Sequence, residues 1–186
     1  MKSARLSQKP SAAARPEEAC ARRRQIVEWM RTRGGPVRGG ELAKHFRVSR
    51  QCLVQDVAIL RAGGEEIVAT PRGYRLPVEA PHAHRAILAC KHAPERTKEE
   101  LQILVDHGVK VLDVVVEHPV YGELRGSLML ESRSDVDDFL QQVAESKAAL
   151  LSSLTDGVHL HTVEAARPDA ISRARAALRA RGFLLK

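Results

Sequence analysis

Residues 40–62 read GELAKHFRVSRQCLVQDVAILRA, and this stretch decides the fold of the first half of the chain. Residues 40–46 predict a short helix, and Ser49 is a favourable N-cap for a second helix that reaches Ala62 before two glycines. The second helix carries an apolar stripe at i, i+4 and i+7, made by Leu53, Val57 and Leu60. Two helices joined by a three-residue break predict a helix-turn-helix.

The elements on either side complete a winged helix. A helix that opens at Pro16 and stops at glycines 34 and 35 precedes the pair. Two short strands at 66–70 and 73–76 follow it and predict a hairpin, the wing. The sequence therefore predicts a winged helix-turn-helix domain at residues 17–77.

The second half alternates strand-like and helix-like segments. Strands are predicted at 86–91, 110–117, 124–131 and 158–163, and helices at 94–107, 134–151 and 168–181. The order strand, helix, strand occurs twice, which favours a mixed or antiparallel sheet with helices on one face, resembling an α/β sandwich. The predicted fold class is α+β, with a flexible basic arm at 1–16, a linker at 78–84 and a second domain at 85–186.

Charge divides the chain in the same place. Of the 186 residues, those up to Ala80 include 16 basic and 8 acidic side chains, whereas the rest include 14 and 15. A basic module joined to a neutral one is typical of a protein that meets a polyanion with one half. Aromatic residues make up only 3% of the chain, which disfavours binding of single-stranded RNA.

Composition also limits the cellular setting. No run of about 18 apolar residues occurs, so a membrane span is not expected. The basic arm lacks the apolar segment of a secretory signal. Cys20, Cys52 and Cys90 are odd in number and form no C-x-x-C pair, which predicts a cytoplasmic protein without disulfides and without a cysteine-based zinc site.

A winged helix that reads DNA would place its third helix in the major groove of double-stranded DNA. Gln51 and Gln55 lie opposite the apolar stripe and so face outward, where glutamine can bind adenine. The full set of predicted DNA contacts comprises Ser49, Arg50, Gln51 and Gln55 on this helix, Arg38 and Lys44 before the turn, and Arg72 and Arg75 on the wing. The alternative is a winged helix that binds another protein.

Histidines are concentrated in the second half, where seven of the eight occur. His159 and His161 alternate along a strand and therefore share one face, which is half of a transition-metal site or a pair that merely lines a sheet. His92 at a strand end and Glu100 on the following helix are candidate partners, with Glu99 as a substitute for Glu100. Three nitrogens and one oxygen suit one divalent zinc, nickel, iron or manganese ion per chain.

The remaining histidines are less informative. The segment EHPVYGE at 117–123 predicts a tight turn with His118 either near the metal or exposed on a structural hairpin. Ordinary surface or linker positions are predicted for His45, His82, His84 and His107.

Two sets of segments resemble a known family. Residues 42–51, 55–61 and 70–74 resemble the winged helix of the niacin-responsive repressors of NAD biosynthesis. Residues 91–94, 116–123 and 157–162 resemble the 3H regulatory domain of that family. Asp156, where a second glycine is expected, and the arm through Ala21 depart from the pattern.

The resemblance implies a homodimeric repressor that binds operator DNA with nicotinic acid as corepressor and controls genes of NAD synthesis or niacin uptake. It implies the metal ligands His92, Glu100, His159 and His161, with His118 and Tyr121 near the effector.

Two other functions stay open on the sequence. One is a repressor that senses the metal itself. The other is a metal-dependent enzyme fused to a winged helix, which is disfavoured because the chain has no P-loop, G-x-S-x-G or H-E-x-x-H motif.

Overall fold

Three helices and a hairpin form the first unit of the computed structural model, which describes residues 16–77 and 83–185. The helices are α1 (Pro16–Arg33), α2 (Gly39–His45) and α3 (Arg50–Ala62), and the hairpin strands are β1 (Val68–Thr70) and β2 (Gly73–Arg75). The predicted arm, apart from Pro16, and most of the predicted linker lie outside the described residues.

A backbone bridge joins the wing to the helices. Val37 and Tyr74 exchange two hydrogen bonds, from each N–H to the other carbonyl, at 2.8 and 2.9 Å. The core beneath is built from the apolar stripes of the three helices, and its fully buried side chains include Ile26, Leu42, Leu53 and Val57. This arrangement confirms the winged helix expected from the sequence.

The predicted N-cap of α3 is present. Ser49 has an extended backbone, and its hydroxyl oxygen accepts a hydrogen bond from the N–H of Cys52 at 3.1 Å. We expect Ser49→Ala to lower the free energy of unfolding of this unit by about 1 kcal/mol, because one helix N–H then loses its acceptor. Urea unfolding followed by the fluorescence of Trp29, the single tryptophan, measures the change, with Ser172→Ala on the second unit as control. An unchanged midpoint would contradict the prediction.

The second unit is a four-stranded sheet with helices packed against its core. The strands are β3 (His84–Lys91), β4 (Lys110–His118), β5 (Gly122–Leu130) and β6 (Val158–Ala165), and the helices are α4 (Thr97–Asp106), α5 (Arg133–Ser146) and α6 (Pro168–Ala180). The sheet order is β3-β6-β4-β5, and all three neighbouring pairs are antiparallel. Strand β6 therefore lies between the strands that flank α4 in sequence.

Several boundaries differ from those predicted. Strand β3 begins at His84, which pairs with Ala165, so the last residue of the predicted linker belongs to the sheet. The helix predicted at 94–107 is a 3-10 turn, Pro94–Arg96, followed by α4. Helix α5 ends at Ser146 rather than 151, because Lys147 adopts the left-handed conformation with φ of 53°.

Among the described residues, no helix is both long enough and apolar enough to cross a membrane.

Candidate metal centre and DNA-binding surface

One buried carboxylate organises the candidate metal centre. Oxygen Oε2 of Glu100, on α4, lies 2.7 Å from Nε2 of His92, which directly follows β3. The same oxygen lies 3.3 Å from Nε2 of His159 and 3.4 Å from Nε2 of His161, both on β6. The structure therefore brings together the four side chains that the sequence singles out.

The choice between Glu99 and Glu100 is made by the packing of α4. Glu100 is fully buried against the sheet, whereas Glu99 points outward and pairs with Arg96 and Arg181. Consecutive helical residues lie about 100° apart around the axis, so only one of the two carboxylates can face the histidines. That residue is Glu100.

Backbone contacts align the strands at this point. The N–H of His92 donates to the carbonyl of Gly157 at 3.3 Å, which places the start of β6 directly beside the end of β3. Gly157 has φ of +86°, and a Cβ atom added there would lie 2.2 Å from the carbonyl oxygen of His92. Only glycine fits this close approach, so it holds His92 next to the two histidines of β6.

Each imidazole is oriented by a backbone carbonyl. Nδ1 of His92 lies 2.8 Å from the oxygen of Ala93, Nδ1 of His159 lies 2.9 Å from that of Gly157, and Nδ1 of His161 lies 2.7 Å from that of Asp113. Because a carbonyl only accepts, each Nδ1 carries a proton, and Nε2 of a neutral ring then holds a lone pair. Histidines that bind metals through Nε2 typically donate their Nδ1–H to a carbonyl in this way.

Electrostatics also favour a cation at this point. Burial disfavours the charge of Glu100, but the three imidazoles in their protonated forms outweigh it and hold the pKa of Glu100 well below its ordinary value. Burial likewise opposes the charged forms of His92 and His161, yet the Glu100 carboxylate raises the pKa of both. Oxygen Oε1 of Glu100 is buried without a hydrogen-bond partner among the described residues. A buried carboxylate facing three nitrogen lone pairs is compensated only by protons or by a metal cation.

Cys90 lies beside this cluster, although the cysteine pattern predicted no cysteine-based zinc site. Its sulfur and one ligand atom each of Glu100 and His159 lie within 4.8 Å of one another. Burial, followed by the charge of Glu100, raises the pKa of the Cys90 thiol. Cysteine spacing alone gave no signal, but Cys90 and His92 are two residues apart at a strand end, and that alternation would have indicated a shared face.

A cavity of about 260 Å³ opens next to the cluster. Glu100, His159 and His161 form its polar end. The rest of the wall is mainly apolar, and its residues include Leu101, Val114, Leu128, Phe139, Leu151 and, from the wing, Pro71. A small apolar cavity with a few converging polar groups is the usual form of a site for a small molecule.

The two predicted effector residues are not part of this wall. His118 and Tyr121 lie at the turn between β4 and β5, and Tyr121 is 73% exposed. Nδ1 of His118 accepts the N–H groups of Val120 and Tyr121 at 3.2 and 3.3 Å, so this histidine stabilises its own turn. The sequence placed both residues near the effector, and the packed sheet places them outside the cavity.

The predicted DNA contacts fall into two groups. Lys44, Ser49, Gln51 and Gln55 are exposed on α2 and α3. Arg38 and Arg50 are exposed but line a cleft whose opposite wall includes Asp138 and Glu145 of α5.

The wing arginines are turned toward the second unit. Arg72 pairs with Asp135 at 2.6 Å, and the largely buried Arg75 lies 3.8 Å from Glu131. In this arrangement of the chain acidic groups of the second unit hold both arginines, so they do not form a free cationic rim, and their contact with phosphates stays a prediction.

Comparisons with known proteins agree with both units. A family model described as an HTH domain matches residues 22–75, and one described as a 3H domain matches residues 85–186. The transcription repressor NadR of Bacillus subtilis is 46% identical over 168 residues, which cover 89% of this chain and 93% of that protein. The chain belongs to the 3H-domain family of transcription repressors. A probable transcription repressor of Thermotoga maritima, NiaR, is 44% identical over 165 residues, covering 89% and 94% of the two chains.

Membership in the 3H-domain repressor family decides several questions that the sequence left open. The relatives are transcription repressors with an HTH domain, so this 3H-domain protein is a regulator rather than an enzyme. The predicted α+β class and the resemblance to this family are confirmed. An HTH domain in a repressor implies double-stranded DNA as its partner.

Proposed function

We propose that this protein is a metal-containing repressor of NAD biosynthesis or niacin uptake genes, with nicotinic acid as its corepressor. It acts in the cytoplasm, as a homodimer on operator DNA. The observation that carries the proposal is the convergence of three imidazole Nε2 atoms on the carboxylate of Glu100 at one end of an apolar cavity.

The donor set supports one divalent transition metal per chain. His92, His159, His161 and Glu100 would hold the ion, and their chemistry suits zinc, nickel, iron or manganese. The ion would supply positive charge at the polar end of the cavity. The carbonyls of Ala93, Gly157 and Asp113 keep the three rings oriented toward that point.

The cavity supports a small aromatic acid as the effector. Its apolar walls, among them Leu101, Val114 and Phe139, suit one aromatic ring. Its polar end suits a carboxylate, provided that the carboxylate meets a cation there rather than the bare charge of Glu100. Nicotinic acid combines these two features, which is the chemical basis for preferring it over a larger effector.

The homodimer follows from the way helix-turn-helix repressors read DNA. Two recognition helices spaced about 34–36 Å apart reach successive major grooves. An effector need only favour the geometry with this spacing to act as a corepressor.

A repressor that senses the metal itself is the second candidate. It is favoured by the burial of all four candidate ligands, each no more than 7% exposed, because closed sites with four protein ligands are typical of ions that act without a bound substrate.

Titration of promoter DNA separates the two candidates. We expect the metal-loaded protein to bind promoters of NAD-biosynthesis or niacin-uptake genes about 5- to 150-fold more tightly with saturating nicotinate, the usual range for coupled sites. Fluorescence anisotropy measures the affinity, with nicotinamide and quinolinate as controls. Equal affinity with and without nicotinate would contradict the effector, and DNA binding that responds to metal alone would favour the metal sensor.

A further inference from the structure

The wing of the DNA-binding unit forms part of the wall of the effector cavity. Pro71, at the tip of the wing, lines the cavity together with His159, His161 and Phe139 of the second unit, which is the regulatory unit of the proposed repressor. A molecule in this cavity therefore lies against the DNA-binding domain as well as the candidate metal centre.

The next residue of the wing holds it in place. Arg72 donates from Nη1 to Asp135 at 2.6 Å and from Nη2 to the carbonyl of Met129 at 2.8 Å. Asp135 is itself fixed, because its other oxygen accepts the N–H groups of Glu131 and Ser132 in the capping box at the start of α5. The ion pair is largely buried and its acceptor is rigid, so it constrains the position of the wing.

In the docked position, the arginines predicted to bind DNA lie near acidic groups of the second unit. Asp135 and Glu131 hold Arg72 and Arg75, and Arg38 and Arg50 line the cleft in front of α5. This cleft has a volume of about 600 Å³, and its opposite wall includes the acidic Asp138 and Glu145, whose charges repel DNA phosphates. In this arrangement every arginine among the predicted DNA contacts faces the regulatory unit.

We propose that the wing couples the effector cavity to DNA binding. While the wing is docked through Arg72 and Asp135, the protein has a low affinity for DNA. A nicotinate-sized acid bound in the cavity beside Pro71 favours the undocked wing. The proposal rests on the proposed function, since it specifies how that corepressor acts. Undocking frees Arg72 and Arg75 for phosphates and opens the cleft in front of Arg38 and Arg50.

Thermodynamic linkage makes the proposal testable from both sites. If operator and effector both prefer the undocked wing, any change that weakens docking strengthens the binding of each. The same change also reduces the gain in operator affinity that the effector produces, because a larger fraction of the protein already has an undocked wing.

Asp135→Asn is the variant of choice. It removes the charge that holds Arg72 but leaves one oxygen that accepts the N–H groups of Glu131 and Ser132, and a capping box accepts an amide as well as a carboxylate at this third helical position. Asp137→Asn is the matched control, because Asp137 lies on the same helix and pairs with Lys98 rather than with the wing. Glu131→Gln weakens the 3.8 Å pair with Arg75 together with the 2.7 Å pair that Glu131 makes with Lys110, and it serves as a second variant that leaves Asp135 in place.

The experiment measures operator affinity by fluorescence anisotropy and nicotinate affinity by calorimetry, on the metal-loaded full chain. We expect Asp135→Asn to bind operator about fivefold or more tightly than Asp137→Asn without nicotinate, and to bind nicotinate more tightly as well. The gain in operator affinity on adding nicotinate should shrink. We expect Glu131→Gln to change both affinities in the same direction by a smaller factor.

Two results would overturn the proposal, and they are distinguishable from failure of the proposed function. If Asp135→Asn binds operator no more tightly than Asp137→Asn does, docking of the wing does not weaken DNA binding. If nicotinate raises the operator affinity of Asp135→Asn by the same factor as that of Asp137→Asn, the wing does not couple effector binding to DNA binding. If the wild-type protein ignores nicotinate, the proposed function and the effector half of this proposal both fail, and the comparison of the two variants still decides whether the docked wing opposes DNA binding.

Discussion

A chain in which His159 and His161 are both replaced by alanine is expected to retain no stoichiometric metal after dialysis. The change removes two of four ligands and leaves the buried carboxylate of Glu100 with His92 as its nearest remaining donor. The winged helix has its own core, so we expect it to stay folded. Elemental analysis after equilibration with zinc or nickel measures the metal, and Trp29 fluorescence reports the state of the first unit.

His118→Ala is the matched control for this prediction. It removes one histidine from the same unit, but that histidine lies at the β4–β5 turn and outside the cavity wall. We expect it to keep one metal ion per chain. Asparagine at 159 and 161 is a second variant that retains polar side chains in the buried site, in case the alanine pair unfolds the sheet. Full metal content in both double variants would contradict the centre described above.

Gly157→Ala is expected to destabilise the regulatory unit by about 3 kcal/mol. The new Cβ atom would lie 2.2 Å from the carbonyl oxygen of His92, and alanine is strained at φ of +86°. To relieve the contact, the end of β3 must move away from the start of β6, which separates His92 from His159. Thermal unfolding by circular dichroism should show a midpoint lowered by roughly 10 °C or more, and the metal affinity should fall with it.

Gly122→Ala provides the comparison for this effect. Gly122 also has positive φ, +68°, but a Cβ atom there would meet nothing within 4 Å. Backbone strain alone then costs about 1 kcal/mol. Equal losses in the two variants would show that the close approach of Gly157 to His92 adds nothing, and would contradict the role assigned to it.

Much of the architecture could be predicted because it is local. The Ser49 cap and the apolar stripe of α3 are encoded within a few residues, and both occur in the structure as predicted. The alternation of His159 and His161 also predicted a shared face, because successive strand residues point to opposite sides.

Positions within the site that the sequence left open depend on contacts between distant segments. The family resemblance implied His118 and Tyr121 near the effector, whereas the structure places their turn outside the wall of the cavity. Cys90 reaches the cluster only because β3 pairs with β6, across about 70 residues of chain. Strand order leaves no mark within a short window of sequence, and the spacing of Cys90 and His92 is the local signal that could have linked Cys90 to the cluster.

The sequence by itself determined the winged helix, the α+β second unit and the residue types of the candidate metal centre, since capping, periodicity and ligand chemistry act over a few residues or through side-chain identity. Only the tertiary structure decided that Glu100 rather than Glu99 faces the histidines, that Pro71 lines the cavity and that Arg72 is held by Asp135. The first of these depends on how α4 packs within the second unit, and the other two depend on how the two units pack together. Packing is set by the shape and charge of whole surfaces, which no local pattern records.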